Sequence, residues 1–513
     1  MTSIYKILTT CSILYFCLEL NGITIVTNYI WRPDVENTIN TFCEDSQKLN
    51  DEIKRMEEYR DGNDPEHFWD DLYKSNFLTF LYIKSGKIDC ATKQIEDTLK
   101  RDEHNVNALL NRVALNEYLL CKNESSQQNE ENIKIEINFT RELDEQKRNV
   151  EMWEWAVQDV VAKAEVAFIL NQLHVKLSHR AVILYEEVIA DAQALLAHTF
   201  FTKIINKKRL EKARNLLKVD HWKCRATHCY MKIINRHNLD SFFPEIRPQE
   251  MVILRRTYCL LKELISSKEA KYAARALAHK ADLFQNYVHR KNVTLPFTFS
   301  EDIIKQCCEQ AILTYKEDSY VQEKCGRVTR KLAANCTELR ESIELLSEAV
   351  RLDPKRDLAY HQLGLAYRVL WLYERSHGDE RQFQGNRHQT SETLKQRWFR
   401  HLHTKEDNPL ANPNHDRGFN YLKQANENFR KACETRKSDS CLYWIDLART
   451  YASLGRVDEA CSSIERAVIV PDDNKNESDK KYYNNQFQKI FSMKLPFEFH
   501  LIGILSSFTV CIK

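Results

Sequence analysis

The sequence predicts an all-α protein in which antiparallel helix pairs stack into a superhelix. Glycine and proline are scarce, with ten of each among 513 residues, and these are the residues that β-turns and phosphate-binding loops need. Apolar residues recur at helical spacing through most of the chain, in runs that come in pairs with short breaks between them. Hydrophobic residues make up 43% of the chain, which is enough for most of it to bury a core.

Residues 441–471 form the clearest of these pairs, CLYWIDLARTYASLGRVDEACSSIERAVIVP. Gly455 ends a first helix and Pro471 closes a second. Each helix has one apolar face, made by Trp444, Leu447, Ala448 and Tyr451 in the first and by Ala460, Ile464 and Ala467 in the second. A helix–turn–helix unit of about 34 residues with this pattern is a tetratricopeptide repeat (TPR). One such unit cannot bury its own apolar face, so we expect neighbouring units.

The pattern divides the chain into six segments. They are an apolar N-terminal segment at 1–34, which is either a signal peptide or a non-native end; an N-terminal helix and the first TPR units at 35–121; a polar, disordered loop at 122–147; an irregular helical middle at 148–298; a C-terminal TPR array at 299–471 with an insertion at 376–416; and a tail with an apolar end at 472–513.

The insertion is expected to split one repeat. The first-helix sequence DLAYHQLGLAYRVL, which begins at residue 357, is not followed by a partner helix. A matching second helix, FNYLKQANENFRKACE, arrives only after residue 416, with Ala425, Phe429 and Ala432 on its apolar face. Loops this long inside a compact unit are usually functional or disordered.

Composition and motifs favour a non-enzymatic, cytoplasmic protein without a cofactor. The net charge is only +2, so global charge does not indicate a nucleic-acid partner. The sequence has no G-x-x-x-x-G-K, G-x-S-x-G or H-E-x-x-H motif, so none of these common catalytic sites is predicted. The sixteen cysteines are scattered within helical periodicity, which is typical of buried reduced thiols. A membrane partner is not expected, because the apolar end of the tail is short for a bilayer span.

The groove of the two best repeats is the first candidate binding site. First-helix side chains between the packing positions line the inner surface of a TPR array, where peptides are usually captured. We expect five residues to line this groove: His361, Leu365, Arg368, Ile445 and Arg449. The Lys/Asn clamp for chaperone C-termini is not predicted, because its positions hold Leu358, Gln362, Leu442 and Asp446.

A basic run at residues 203–236, with interleaved aromatic residues, is the second candidate site. Such a run could bind phosphates by charge and bases by stacking. The candidate phosphate contacts are Lys207, Lys208, Arg209 and Arg214. The simpler interpretation is a solvated helix face.

Two histidine-containing clusters have spacing that a metal could use, but we predict no metal site. Cys224 and His228 lie four residues apart beside Cys229, without a second ligand pair nearby, which favours core packing. His401, His403 and His415 lie in the insertion, where a solvated loop is the expected state.

The order of intact, degraded and split repeats resembles two protein families. The matching stretches are FLTFLYIKSGKIDCATKQIEDTLK, AYHQLGLAYR, FNYLKQANENFRKACE and LYWIDLARTYASLGRVDEA. These are similar to both families, the interferon-induced proteins with tetratricopeptide repeats and tetratricopeptide repeat protein 22, while RTYCLLKELISSKEAKYAARALAHKADLF looks more like the second. The first resemblance implies an innate-immunity effector that binds the 5′ end of single-stranded RNA, and the second implies a scaffold for protein partners. The residues themselves favour a protein–protein adaptor, with RNA binding as the alternative.

Overall fold

A computed structural model of the chain describes part of residues 49–57 and residues 68–103, 105–123, 152–173, 177–197, 207–240, 248–287, 300–380, 418–435 and 441–469. From residue 68 onward the described residues contain sixteen helices, and no described residue lies in a strand, which confirms the all-α, TPR-like prediction. The predicted segments 1–34, 122–147, 376–416 and 472–513 lie wholly or largely outside the described residues.

The chain divides into two compact units, residues 1–233 and residues 234–513. The helices of unit 1 are α1 (Phe68–Lys84), α2 (Ile88–Arg101), α3 (Val106–Asn123), α4 (Met152–Leu173), α5 (Ser178–Ala197) and α6 (Lys207–Leu216); α7 (Val219–Asp240) runs across the boundary. The helices of unit 2 are α8 (Pro248–Ile265), α9 (Ala270–Tyr287), α10 (Glu301–Thr314), α11 (Ser319–Leu332), α12 (Cys336–Leu352), α13 (Asp357–Glu380), α14 (Phe419–Thr435), α15 (Cys441–Ser453) and α16 (Val457–Ile469).

Unit 1 is built around aromatic side chains. Tyr73, Phe168 and Trp222 come from three helices and are almost completely buried. The Trp222 indole Nε1 donates a hydrogen bond of 3.3 Å to the Tyr73 hydroxyl, so the polar atoms of both rings are satisfied inside the core. Helices α1 and α2 form one packed pair, and α4 and α5 form another.

Unit 2 contains four successive helix pairs. Helix α9 packs on α10, α11 on α12, α13 on α14 and α15 on α16. The first helices α9, α11 and α13 also contact one another in sequence order, as expected when TPR units stack. Helix α9 lies within residues 148–298, for which the degraded pattern predicts irregular helices, yet it is the first member of a regular pair.

The same type of helix end appears in the first and the last repeat. Gly86 and Gly455 have φ values of 72° and 74°, in the left-handed region that glycine adopts without strain. Beyond each glycine the next N–H reaches back five residues, from Lys87 to the Tyr82 carbonyl and from Arg456 to the Tyr451 carbonyl. This is the Schellman arrangement, which satisfies carbonyls at the helix end.

The predicted pairing across the insertion is present. Helices α13 and α14 pack together, although residues 381–417 separate them. Gly364 allows the close approach, because a Cβ at this position would lie 2.8 Å from two ring carbons of the fully buried Phe429.

Candidate functional site

A set of charged side chains joins the first helices of the four pairs in unit 2. We call this set the first-helix face. Its cations outnumber its carboxylates by eight to four among the described residues. The members are Arg275, Lys324, Arg327, Arg330, Lys331, Arg356, Arg368 and Arg449, with Asp282, Asp318, Glu323 and Asp446, and His361 beside them.

Asp282 anchors α11 to α9. Its carboxylate accepts from Lys324 Nζ at 2.9 Å and from Arg327 Nη2 at 2.7 Å. Burial alone would raise the pKa of Asp282, but the charges of Arg327 and Lys324 outweigh burial and hold this pKa well below its usual range. The carboxylate is therefore ionised, and its charge is shared between two cations.

Arg330 and Lys331 are half-buried cations whose hydrogen-bond partners are neutral. Arg330 Nη2 donates to Gln362 Oε1 at 3.0 Å, and Lys331 Nζ donates to Gln285 Oε1 at 3.0 Å. Burial, followed by repulsion from Arg327, lowers the pKa of Arg330 to about 10. Burial and the neighbouring cations, against the charge of Asp282, lower the pKa of Lys331 to about 8. Both groups would be stabilised by an added negative charge.

A tyrosine ring lies among the cations at the start of α11. The guanidinium carbons of Arg356 and Arg275 lie 5.0 Å and 5.6 Å from the Tyr320 ring centroid, and Lys324 Nζ lies at 5.6 Å. The Tyr320 hydroxyl is 3.0 Å from Nε2 of His279. Burial, followed by repulsion from Lys324, lowers the pKa of His279 to about 3, so this imidazole is neutral at physiological pH and adds no charge to the face.

Three of the five residues predicted for the groove meet at Asp446. Its carboxylate lies 2.9 Å from His361 Nε2, 3.4 Å from Arg449 Nη1 and 3.8 Å from Arg368 Nη1. Burial would raise the pKa of Asp446, but the hydrogen bond and charge of His361 and the two arginines lower it. This carboxylate therefore partly neutralises the C-terminal end of the first-helix face.

The other two predicted groove residues belong to the core of the last repeats. Ile445 is 1% exposed and lies in the hydrophobic cluster with Phe429 and Ala448, and Leu365 is half-buried against that cluster. A first-helix position next to the groove therefore contributes to packing when its side chain is aliphatic.

The sequence prediction missed the central cations of the first-helix face. Lys324, Arg327 and Lys331 stand at i, i+3 and i+7 in α11, which is the spacing of one helix face. Their carboxylate and amide partners come from α9, about forty residues earlier. The helical spacing was a detectable signal, whereas the identity of the partners required the fold.

The basic run of unit 1 separates into an exposed part and a partnered part. On α6, Lys207, Lys208 and Arg214 are exposed, and the Arg209 side chain lies outside the described residues. On α7, Lys223 lies 4.0 Å from Asp220, and Lys232 donates to Asn171 Oδ1 at 3.1 Å. The candidate phosphate contacts Lys207, Lys208 and Arg214 are thus at the exposed end of the run.

Unit 1 also contains a buried carboxylate among amides. Glu165 accepts from Asn76 Nδ2 at 2.9 Å, from Asn105 Nδ2 at 3.2 Å and from the Asn107 amide. Burial raises the pKa of Glu165 to about 7, although the three amide donors act in the opposite direction. Because Glu165 is only 1% exposed, this cluster is closed to a ligand.

The described residues contain no group of three metal-ligating side chains. Cys224 and Cys229 are buried, and burial raises the pKa of Cys229 to about 12, which keeps it a thiol. His401, His403 and His415 lie outside the described residues. The cysteines in the described part of the chain are free thiols, and none of the helices described there is long and apolar enough to cross a membrane.

Known proteins resemble this chain in structure rather than in sequence. No family profile matches the chain, and no curated protein matches its sequence. Among solved structures it is similar to a monomeric IFIT1 mutant with Gppp-AAAA, at 13% identity and a TM-score of 0.49 over 86% of this chain and 77% of that one. It is also similar to the human IFIT1 dimer with PPP-AAAA, at 12% identity and a TM-score of 0.48 over 86% and 76%.

The TPR domain of P58(IPK) is a third structural relative, at 13% identity and a TM-score of 0.20 over 83% of this chain and all of that domain, 100%. All three TM-scores lie below 0.5, so these similarities assign neither a family nor a ligand to the chain.

Proposed function

We propose that this protein is a non-enzymatic TPR scaffold that binds an acidic segment of a partner protein on the first-helix face of unit 2. The observation that carries the proposal is the excess of cations over carboxylates on this face, eight to four among the described residues. An adaptor that works in the cytoplasm needs no cofactor for this task.

The half-buried positions of Arg330 and Lys331 strengthen the attraction of this face for a carboxylate. Arg330 and Lys331 have given up part of their hydration and have received neutral amide oxygens in exchange. A carboxylate placed beside them would form charge-assisted hydrogen bonds, which are roughly twice as strong as neutral ones. Salt also screens a partly buried pair less than it screens a pair on an open surface.

The cations lie on successive first helices, and this arrangement favours an extended peptide as the ligand. The first helices of a TPR array line its inner surface, and an extended segment can contact several of them at once. Carboxylates spaced along such a segment could meet the half-buried cations of α11, whereas the cluster of His361, Arg368 and Arg449 is only 4–6% exposed. Because Asp446 already lies against that cluster, we expect the stronger anchor at Arg330 and Lys331.

Fluorescence anisotropy with a labelled twelve-residue peptide rich in glutamate tests the proposal. A peptide with glutamine at every glutamate position is the matched control. We expect the acidic peptide to bind the full chain more tightly than its control, and R330Q to weaken its binding about tenfold, a loss of about 1.4 kcal/mol. R255Q, which changes an exposed arginine of α8, should have no effect. Equal binding of the two peptides would contradict the proposal.

The exposed cations of α6 favour a second candidate function, single-stranded RNA binding. Lys207, Lys208 and Arg214 are exposed on one ten-residue helix, and phosphate contacts by such residues make binding strongly salt-dependent. Filter binding of 5′-triphosphate and capped RNA at two salt concentrations tests this candidate. We expect weaker binding at the higher salt and a loss in the K207Q/K208Q/R214Q variant. Absence of binding at low salt would reject it.

A further inference from the structure

Lys331 differs from Lys324, the other lysine of α11, in what its ammonium group contacts. Lys324, Arg327 and Lys331 share one face of α11, with Arg330 adjacent. Asp282 accepts hydrogen bonds from Lys324 and Arg327, whereas the hydrogen bond of Lys331 within the described residues goes to the neutral amide of Gln285. Lys331 is thus a half-buried amine in a row of like charges, and the nearby carboxylate is already shared by two other cations.

The groups around Lys331 favour its neutral form. Burial acts first, and the charges of Arg327, Arg330 and Lys324 on its own helix act in the same direction, while Asp282 on α9 opposes them. On the side of α13, Gln362 bonds to Arg330, and Arg356 is paired with Glu323. The resulting pKa of about 8 leaves roughly a tenth of the amine unprotonated at pH 7, which is far more than for an ordinary lysine.

We propose that Lys331 is a modification site, a nucleophilic amine that reacts selectively with small acyl phosphates. The neutral amine attacks the acyl carbonyl carbon and forms a C–N bond, while the bond from that carbon to the phosphate oxygen breaks. Inorganic phosphate leaves with the electron pair, and the amine proton goes to solvent. The product is an uncharged amide at Lys331, and no oxidant or reductant is involved.

The surrounding cations favour an acyl donor with an anionic leaving group. Arg327 and Arg330 stand four residues and one residue before Lys331 on the same helix, and their charges can attract the phosphate and so raise the concentration of the reagent near Nζ. They also stabilise the negative charge that develops on the leaving group. The features that lower the basicity of Lys331 thus also concentrate this class of reagent around it.

Acylation would remove one cation from the first-helix face and weaken its binding of an acidic segment. This consequence rests on the proposed function, whereas the reactivity of Lys331 does not. The two can therefore fail separately.

Peptide mapping by mass spectrometry after incubation of the full chain with acetyl phosphate, at pH 6.5 to 10, tests the reactivity. At pH 7 we expect acetylation of Lys331 about 10-fold faster than that of the exposed Lys268 and Lys316, because its larger neutral fraction outweighs its lower intrinsic nucleophilicity. The rate at Lys331 should level off above about pH 8. A rate equal to those of the exposed lysines, still rising at pH 10, would overturn the proposal.

Variants separate the cause of the reactivity from its consequence. R330Q removes one neighbouring cation and should move the pH profile of Lys331 upward, whereas R255Q should leave the profile unchanged. An unchanged profile in R330Q would contradict the role of the like charges. K331Q mimics the acylated residue and should weaken binding of the glutamate-rich peptide. K331R keeps the positive charge and should bind this peptide as the parent does. Equal binding by both variants, with selective acetylation intact, would reject only the effect on binding.

Discussion

At the residue scale, the groups that face a buried carboxylate decide its ionisation. Asp446 lies against a histidine and two arginines, and their combined effect lowers its pKa despite burial. Glu165 is also buried, but its hydrogen-bond donors are the side-chain amides of asparagines, which compensate for burial only in part. Its pKa is raised to about 7, so the two carboxylates respond in opposite ways to pH.

The Glu165 cluster predicts that unit 1 loses stability as pH rises. The unfolded carboxyl titrates near its ordinary value of 4.5 and the folded one near 7, so the folded state holds its proton more tightly. Stability should fall between about pH 4.5 and pH 7 and stay lowered above that, by an amount on the order of 3 kcal/mol. E165Q removes this titration, so it should gain stability relative to the parent as pH rises.

Urea unfolding of the full chain at pH 5 and at pH 7.5 measures this difference between E165Q and the parent. E250Q changes a buried glutamate of unit 2 that accepts a hydrogen bond from Tyr287 and serves as a comparison outside the cluster. A difference between E165Q and the parent that is the same at both pH values would show that Glu165 is ionised throughout.

At the element scale, glycines set where helices end and how closely they pair. Gly86 and Gly455 end first helices with positive φ values, whereas Gly326 and Gly364 lie inside first helices against Leu346 and Phe429 of their partner helices. Glycine is needed at residues 86 and 455 because of the backbone conformation, and at residues 326 and 364 because a side chain would collide with the partner helix. Substitutions can therefore test each effect separately.

Gly455→Ala tests the backbone effect alone, because a Cβ at this position would meet no atom within 4 Å. The positive φ of 74° is unfavourable for alanine, so we expect a loss of about 1 kcal/mol in the free energy of unfolding. Gly455→Asn should cost less, since asparagine tolerates this conformation. Thermal unfolding compares the two variants, and an equal loss in both would argue against a backbone cause.

Gly364→Ala tests the pairing of α13 and α14 across the insertion. The added Cβ would lie 2.8 Å from the Phe429 ring, and overpacking of this kind typically costs about 1–3 kcal/mol. In an F429L background the smaller side chain should relieve the contact, so the cost of Gly364→Ala should shrink. A double-mutant cycle measures this coupling, and strictly additive effects would show that the two residues do not meet.

At the scale of the whole molecule, the sequence predicted the architecture better than the first-helix face. Apolar spacing and Gly455 were enough to predict the last helix pair, and the sequence after residue 416 was enough to identify the partner of α13. The first-helix face was only partly predictable, through His361, Arg368 and Arg449. Its central cations lie among ordinary helical residues, and their partners Asp282 and Gln285 become neighbours only when α9 and α11 stack.

The basic run at residues 203–236 was easy to recognise in the sequence because its charges are close together in the chain. On α7, however, two of these cations already have partners. Lys223 lies near Asp220, and Lys232 donates a hydrogen bond to Asn171. Charges that come together from several helices are harder to recognise in the sequence, but they form the larger set of buried and half-buried cations. The ligand hypothesis therefore moves from the run to the first helices of unit 2.

Hydrogen exchange of the full chain with and without the glutamate-rich peptide tests the central claim most directly. Binding on the first-helix face predicts slower exchange in α9, α11 and α13, with no change in α6 and little in the second helices α10, α12 and α14. The same experiment with single-stranded RNA locates that ligand independently. Protection by the peptide that is confined to α6 or to the second helices would contradict the proposed binding site.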